Sequence, residues 1–445
     1  MMTWTAMRKA LARPAFGAPS KKGRRRERGV ALLIVITSIA ILTVVAVDFQ
    51  FNSAVDLQLA ANARDELRAQ YLARSAVNVS RLLLRFQKQL DAQSQTLGPA
   101  LAALGIPGGA GVNIRLWEIV PVDCSLFSML LGAPGGSGEK TSDAPEYGGD
   151  LEAKFEGLSP KGAKMVAQSF GDFSGCFHAD ISDEEQKINV NRLNNPGQRG
   201  RPPMMQSLLL LADPRFEFVY DKPDANGVKM TPHEVLIALH DWIDERDTQA
   251  SLNLTGSGID AFPDGFGDEN RNSLSKYPYR YRSKNAPFDT LDELYQVDGV
   301  SDLFMAAFRD RLTVYPDKNK VVNINTNDPI QEYINILTVA ANEGDPKLAF
   351  GGVVHQAIHQ QIAVAKLFSF LGMSAKQFLA IVSGNGVQLK PDLSAQASGA
   401  NNWITDKSET FTIRATGQAG RVEKNITAVV RYNEALGKVL YFREE

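Results

Sequence analysis

Cysteine is scarce in this chain. Cys124 and Cys176 are the only two in 445 residues, and neither stands in a recognisable catalytic setting. They leave two alternatives open, a pair of free thiols or one disulfide formed outside the reducing cytoplasm. A bridge would close a loop with a chain-entropy gain of about 4 kcal/mol. No G-x-S-x-G nucleophile elbow occurs. Gly132-Ala-Pro-Gly-Gly-Ser-Gly-Glu-Lys-Thr141 resembles a phosphate loop, but Glu139 interrupts the Gly-Lys pair and puts a carboxylate where phosphate would lie. His355 and His359 stand at i, i+4 spacing, yet no glutamate follows His355 and no third ligand accompanies them, so both read as exposed helical histidines. With these signals missing, no enzymatic activity is expected.

A strong net charge is absent too. The formal charge is −2, and 44% hydrophobic with 22% charged residues is an ordinary globular composition, which excludes a disordered or fibrous chain. Basic residues are concentrated at the start: Arg8, Lys9, Arg13, Lys21, Lys22, Arg24, Arg25, Arg26 and Arg28 stand against one acid, Glu27. The remainder is acidic on balance, which argues against nucleic acid as the main partner.

Residues 30–47 contain no charge. As a helix they span about 27 Å, close to the hydrocarbon thickness of a bilayer. The basic cluster before them holds the N-terminus in the cytoplasm, so everything after Asp48 faces outward. A cleaved secretory signal fits less well, because the run is long and Val44-Val45-Ala46-Val47-Asp48 lacks an A-x-A-like site. Residues 48–90 contain neither Pro nor Gly, and Val55, Leu59, Ala63, Leu67 and Tyr71 recur at helical spacing with charge on the opposite face. One helix of about 60 residues is expected.

After a Gly- and Pro-rich turn region at 97–111, residues 112–121 read as a strand, and 176–191 as a hairpin around an acidic turn. Residues 410–420, 421–432 and 438–443 read as three more strands. Between them the pattern is helical, with a weak echo: Ile188-Asn-Val-Asn191 returns as Val322-Asn-Ile-Asn325, each time ahead of helical sequence. Residues 233–246 form an amphipathic helix, and 289–312 read as a helix-hairpin-helix turning at Val297-Asp-Gly-Val300. The expected fold class is α+β: a long N-terminal helix on a small antiparallel sheet, with an inserted α-helical domain of two SAM-like or helix-hairpin-helix units. The expected segments are 1–29 (leader), 30–95 (helix), 96–200 (first part of the sheet), 201–402 (insert) and 403–445 (final strands).

Gly29, at the junction Arg26-Glu-Arg-Gly29 and Val30-Ala-Leu-Leu-Ile34, resembles the prepilin peptidase site of type IV pilins and type II secretion pseudopilins. The resemblance implies cleavage after Gly29 and a methylated Val30 as the new N-terminus. Most of that family carry Glu at the fifth mature position, where it neutralises a neighbouring terminal amine inside the lipid. Here that position is Ile34, a departure that resembles the large-headed K-type minor pseudopilins. Asp241-Trp-Ile-Asp-Glu-Arg-Asp247, Asn285-Ala-Pro-Phe-Asp-Thr-Leu-Asp-Glu-Leu294 and Val321-Val-Asn-Ile-Asn-Thr-Asn327 are similar to the K-type head in order and wording. The likeness spans most of residues 24–443.

Membership implies a pilin-like fold and a single-pass protein of the bacterial inner membrane with a periplasmic head. Its place would be the tip of the type II secretion pseudopilus, where it nucleates assembly and assists export of folded proteins. The implied partners are the I-, J- and H-type minor pseudopilins, the major pseudopilin, prepilin peptidase, the inner-membrane assembly platform, the outer-membrane secretin channel and exported proteins. A DNA-uptake component shares the leader type and is the alternative, but Asp292, Glu293, Asp298 and Asp302 around the hairpin would repel phosphate.

The stretch 244–270 is rich in oxygen ligands: Asp244, Asp247, Asp260, Asp264, Asp268, Glu269 and Asn270. It lacks EF-hand spacing, and the residues alone leave calcium and a solvated acidic loop both open. The resemblance implies calcium, matching Asp244, Asp247, Asp268 and Glu269 to acidic positions of the family, with Asp264 as a further candidate. Residues 248–263 are longer than the usual family loop. Asp221-Lys-Pro-Asp-Ala-Asn-Gly227 reads as a turn.

Overall fold

The computed structural model describes residues 28–103, 113–124, 169–170, 173–222, 229–254, 260–269, 282–366, 371–394, 403–432 and 437–445. The basic leader before Arg28, the phosphate-loop-like stretch, most of the turn at 221–227 and Asn270 lie outside them. The chain divides into two units, Met1–Arg64 and Asp65–Glu445.

Helix α1 runs Arg28–Ala103. Every side chain from Val30 to Val47 is exposed, including Leu32 at 62% and Leu42 at 67%. The two hydroxyls that bond within this run, Thr37 to the Ile34 carbonyl and Thr43 to the Ile39 carbonyl, are satisfied by the helix itself. The expected turn region from residue 97 is corrected: α1 continues through Gly98 and Pro99 to Ala103. Pro99 has no N–H to give, so the helix continues past it with one bond fewer.

In the second unit the short strand β1 (Asn113–Ile114), the helical turn α2 (Leu116–Ile119) and strand β2 (Val122–Asp123) replace the single strand expected over 112–121. The break centres on Arg115, whose buried guanidinium reaches Glu118 at 2.6 Å and the Asn325 carbonyl at 3.1 Å. The Leu116 N–H donates to Gln87 of α1. A small hairpin, β3 (Ser169–Phe170) and β4 (Phe173–Ser174), precedes β5 (Cys176–Asp183). The expected hairpin over 176–191 does not form. Its acidic turn is a 3-10 turn, Glu184–Gln186, and β6 (Ile188–Asn189) leaves to pair in parallel with β9 (Leu312–Thr313). Burial decides this: Glu184 accepts from Thr313 and Thr412, and Glu185 from Thr410, so the turn is anchored inside rather than solvated.

Then follow α3 (Arg201–Leu211), α4 (Pro232–Ile243), strands β7 (Thr248–Ala250) and β8 (Asp264–Asp268), and α5 (Asp302–Phe308). After β9 come β10 (Val322–Asn323), α6 (Pro329–Val339), α7 (Val353–Ala365), β11 (Leu371–Gly372), α8 (Ala375–Gly384), α9 (Pro391–Ser394) and β12 (Ile404–Thr405). The chain closes with β13 (Thr410–Ala419), β14 (Val422–Arg431) and β15 (Lys438–Glu444). The main sheet is antiparallel throughout, in the order β15-β14-β13-β5-β2. Gly420, at φ +57°, supplies the left-handed residue of the two-residue loop between β13 and β14.

Within this unit α1 lies against the sheet along a seam of small residues. Ala69, Ala73 and Ala76 are fully buried with Phe177, Ile413, Ala415 and Ala428. Cys124 and Cys176 are joined by a disulfide beside that core.

The helical segments form two bodies built alike. In the first, Asn191 donates to the Phe288 and Val314 carbonyls and accepts from the Phe288 N–H, while its own N–H bonds to the Asn189 side chain. In the second, Asn325 donates to the Met373 and Asp406 carbonyls and accepts from the Met373 N–H, with its N–H on the Asn323 side chain. β6 pairs in parallel with β9, and β10 with β12. Each body has its own core, one around Leu236, Phe304 and Phe308, the other around Ile336, Ile358 and Phe378.

The expected helix-hairpin-helix is shorter than its sequence suggests. Its first limb is a 3-10 turn, Leu291–Gln296, and its second ends at Phe308 because Leu312 enters β9. Gly299 turns between them at φ +80°, where a Cβ would meet Val235 Cγ2 at 2.6 Å. His355 is also not exposed. It is 7% accessible, packed edge-on against Tyr333, with Nδ1 accepting from the Gly351 N–H. His359 is half exposed and bonds to Glu332.

Candidate metal centre

Helix α4 is started by a capping box between Thr231 and Glu234 and stops at Asp244 rather than Arg246. Its last turn places His240, Asp241 and Asp244 together, since i, i+3 and i, i+4 share a face. One ligand atom from each lies within 4.8 Å of the others.

The histidine is committed elsewhere. Its Nδ1 lies 3.1 Å from the Leu193 carbonyl and its Nε2 2.9 Å from an Arg246 nitrogen, so Nδ1 carries the proton. The ring stacks on Phe262 at 3.9 Å. Oxygen atoms remain. Asp241 Oδ1 accepts from the Ala250 N–H at 3.0 Å, and burial, helped by Asp244, pushes its carboxyl up to about 7. Asp244 is 3% exposed; Oδ2 takes Arg246 at 2.7 Å while Oδ1 is buried without a hydrogen bond. Burial pushes the Asp244 carboxyl up, but the hydrogen bond and charge of Arg246 help to outweigh that and hold it below its ordinary value.

The β7–β8 pair returns the chain to this helix end, with Thr248 opposite Asp268 and Ala250 opposite Asp264. It delivers Glu269, both of whose carboxylate oxygens are buried without a well-aligned hydrogen bond. Burial, then repulsion from Asp244, Asp241 and Asp247, pushes Glu269 up to about 7. Asp247 and Asp268 are exposed at the rim. Asp264 is largely exposed and its Oδ1 is held by Arg246 at 2.6 Å, while Asp260 accepts from the Gly197 N–H.

The structure brings Asp241 and Asp244 together with His240, sets Asp247 and Glu269 within electrostatic reach of them, and turns Asp264 to an ion pair. Asp241 was readable: an aspartate three residues before Asp244 on a predicted helix shares its face. Several carboxylates converge near one cation, Arg246, and three of their buried oxygens lack a well-formed partner. These three oxygens could supply part of the six to eight that a hard cation takes. Zinc suits the site less, because the only histidine has both ring nitrogens engaged.

Of the other sequence candidates, Gly29 and Val30 lie in α1 and Ile34 is 59% exposed on it.

No protein-family model matches this chain, and no curated protein matches it. Among solved structures it is similar to a chain in the crystal structure of the GspK-GspI-GspJ complex from the type 2 secretion system of enterotoxigenic Escherichia coli. The two share 17% sequence identity at a TM-score of 0.39, and the match covers 63% of this chain and 83% of that one.

Proposed function

We propose that this protein is a minor pseudopilin of the K type, acting at the tip of a type II secretion pseudopilus. The observation that carries the reading is helix α1. It includes the Gly29–Val30 junction, presents an exposed apolar run of membrane length, and continues as the helix that packs on an antiparallel sheet.

In this reading residues 30–47 span the bacterial inner membrane and the head is periplasmic, a compartment in which the Cys124–Cys176 bridge persists. A carboxylate at the fifth mature position serves to neutralise the amine of the subunit above, since an unpaired ion in lipid is costly. A subunit with nothing above it has no such amine to meet, so Ile34 suits the tip. The large helical head is accommodated there for the same reason. The chain would nucleate assembly with I-, J- and H-type minor pseudopilins ahead of the major pseudopilin, after processing by prepilin peptidase at the assembly platform. It would engage exported proteins at the secretin channel. No catalysis is assigned to it.

The head would hold calcium through Asp244 and Glu269, with Asp241, Asp247 and Asp268 close by. The ion would supply the charge that these carboxylates lack and fix the β7–β8 loop to the end of α4.

Mass spectrometry after co-expression with a prepilin peptidase tests the reading. The expected product begins at a methylated Val30. An intact chain, or cleavage near Ala46, overturns it.

A further inference from the structure

Strand β2 accompanies β5 for two residues only, Val122 opposite Ala179 and Asp123 opposite His178. The chain before β2 leaves the sheet as the helical turn α2. On that side, residues 181–183 of β5 have no strand neighbour among the described residues, although β13 pairs with them on the other side. Where a strand would lie there is a cleft of about 280 Å³, bordered by Ile181, Trp117, Gln186, Gln331 and Asp310. An open strand edge offers backbone donors and acceptors to any extended chain that reaches it.

Two side chains of the cleft have unmet hydrogen-bonding capacity. Gln331 is 2% exposed; its Nε2 donates to Asn335, and its Oε1 is buried without a partner. Gln186 has a buried Nε2 without a partner. The charges around the cleft are mostly spoken for: Lys187 pairs with Glu184, Arg311 with Asp328, and Arg115 with Glu118. Asp183 bonds to the Glu185 N–H and to Asn323. Asp310 is exposed and has no cationic partner among the described residues.

We propose that this cleft binds an extended segment of a partner protein as an added strand beside β5, with a lysine or arginine lying along Trp117 toward Asp310. The backbone edge would hold the main chain, the indole would cover the aliphatic stem, and Asp310 would select the charge. The site is separate from the metal centre and does not depend on the chain being a pseudopilin.

The test uses the full chain in detergent micelles with 15N-labelled tryptophan, the Trp117 indole signal being assigned through Trp117→Phe. The probe is the acetylated and amidated tripeptide Ala-Arg-Ala. A saturable shift of the Trp117 signal is expected. Binding should weaken at least about fivefold when the arginine amide is N-methylated, when glutamate replaces arginine, and in the exposed-site variant Asp310→Asn. No saturable shift overturns the site. Equal binding of the N-methylated peptide overturns strand addition, and equal binding of the glutamate peptide or by Asp310→Asn overturns the basic specificity.

Discussion

The carbonyl oxygen of Ala69 in α1 lies so close over Gly417 in β13 that a methyl group on this glycine would come within 2.1 Å of it. The same methyl would lie 2.5 Å from the Ala73 nitrogen. Both obstacles are backbone, so neither gives way by changing a rotamer. This contact lets the helix approach the sheet closely enough for Ala69, Ala73 and Ala76 to be fully buried.

Gly417→Ala should therefore destabilise the head by about 1–3 kcal/mol, as overpacking does. Gly384→Ala at the end of α8, where a Cβ meets nothing within 4 Å, should be neutral or slightly stabilising. Urea unfolding of both variants checks this. Equal effects would show that helix and sheet are not locked at Gly417.

The two asparagines of the paired helical bodies should behave alike. Asn191→Ala and Asn325→Ala each leave backbone groups at Phe288 or Met373 without their amide partner, at a cost of about 1–3 kcal/mol. Hydrogen exchange should quicken at the Phe288 amide in the first variant and at the Met373 amide in the second. Unchanged exchange at those amides would refute the role.

Stability should fall as pH rises from about 4 to 7. Burial pushes the carboxyl of Asp183 up to about 6 and that of Glu185 up to about 7, from ordinary values of 3.8 and 4.5. The folded state therefore holds protons that the unfolded chain releases. The stabilisation is complete below about pH 4 and is lost as pH passes 6 to 7. Each carboxyl contributes on the order of 3 kcal/mol. Urea midpoints should decline between about pH 4 and 7 and level off above, and Glu185→Gln should flatten the decline; an identical slope in the variant would remove Glu185 as its source.

Calcium should raise the melting temperature and a chelator should lower it, by the linkage of a ligand that binds only the folded state, about 2.7 kcal/mol at a hundredfold excess over Kd. Asp244→Asn and Glu269→Gln should abolish the response, and Asp241→Asn should weaken it. A melting temperature indifferent to chelator would rule out the metal.

Reduction of Cys124–Cys176 should cost about 4 kcal/mol, because the bridge closes a loop with a sequence separation of 52. Cys124→Ser with Cys176→Ser should reproduce that loss in the absence of reductant. Equal stability of oxidised, reduced and doubly substituted protein would show that the bridge adds nothing to the fold.

What the sequence determined by itself was local and periodic. The charge-free run from Val30 and the lack of Pro and Gly through Leu90 specify α1, because a helix closes its own hydrogen bonds; the stripe through Leu67 and Tyr71 did not mark the packed face, since both are exposed while Ala69, Leu72, Ala73 and Ala76 meet the sheet. The strands β13 to β15 were legible through alternation, and the Asn-x-Asn echo marked two bodies built alike. The tertiary structure decided what rests on distant partners. Buried Arg115 reaches Asn325 and breaks a stretch that reads as a strand. Glu184 and Glu185 are drawn inward by threonines more than a hundred residues away, which sends β6 to β9 instead of back along β5. Asp264 is taken by Arg246 while Asp241 joins Asp244 and Glu269. No spacing rule encodes such contacts, because the energy of a buried charge depends on which groups the whole fold brings beside it.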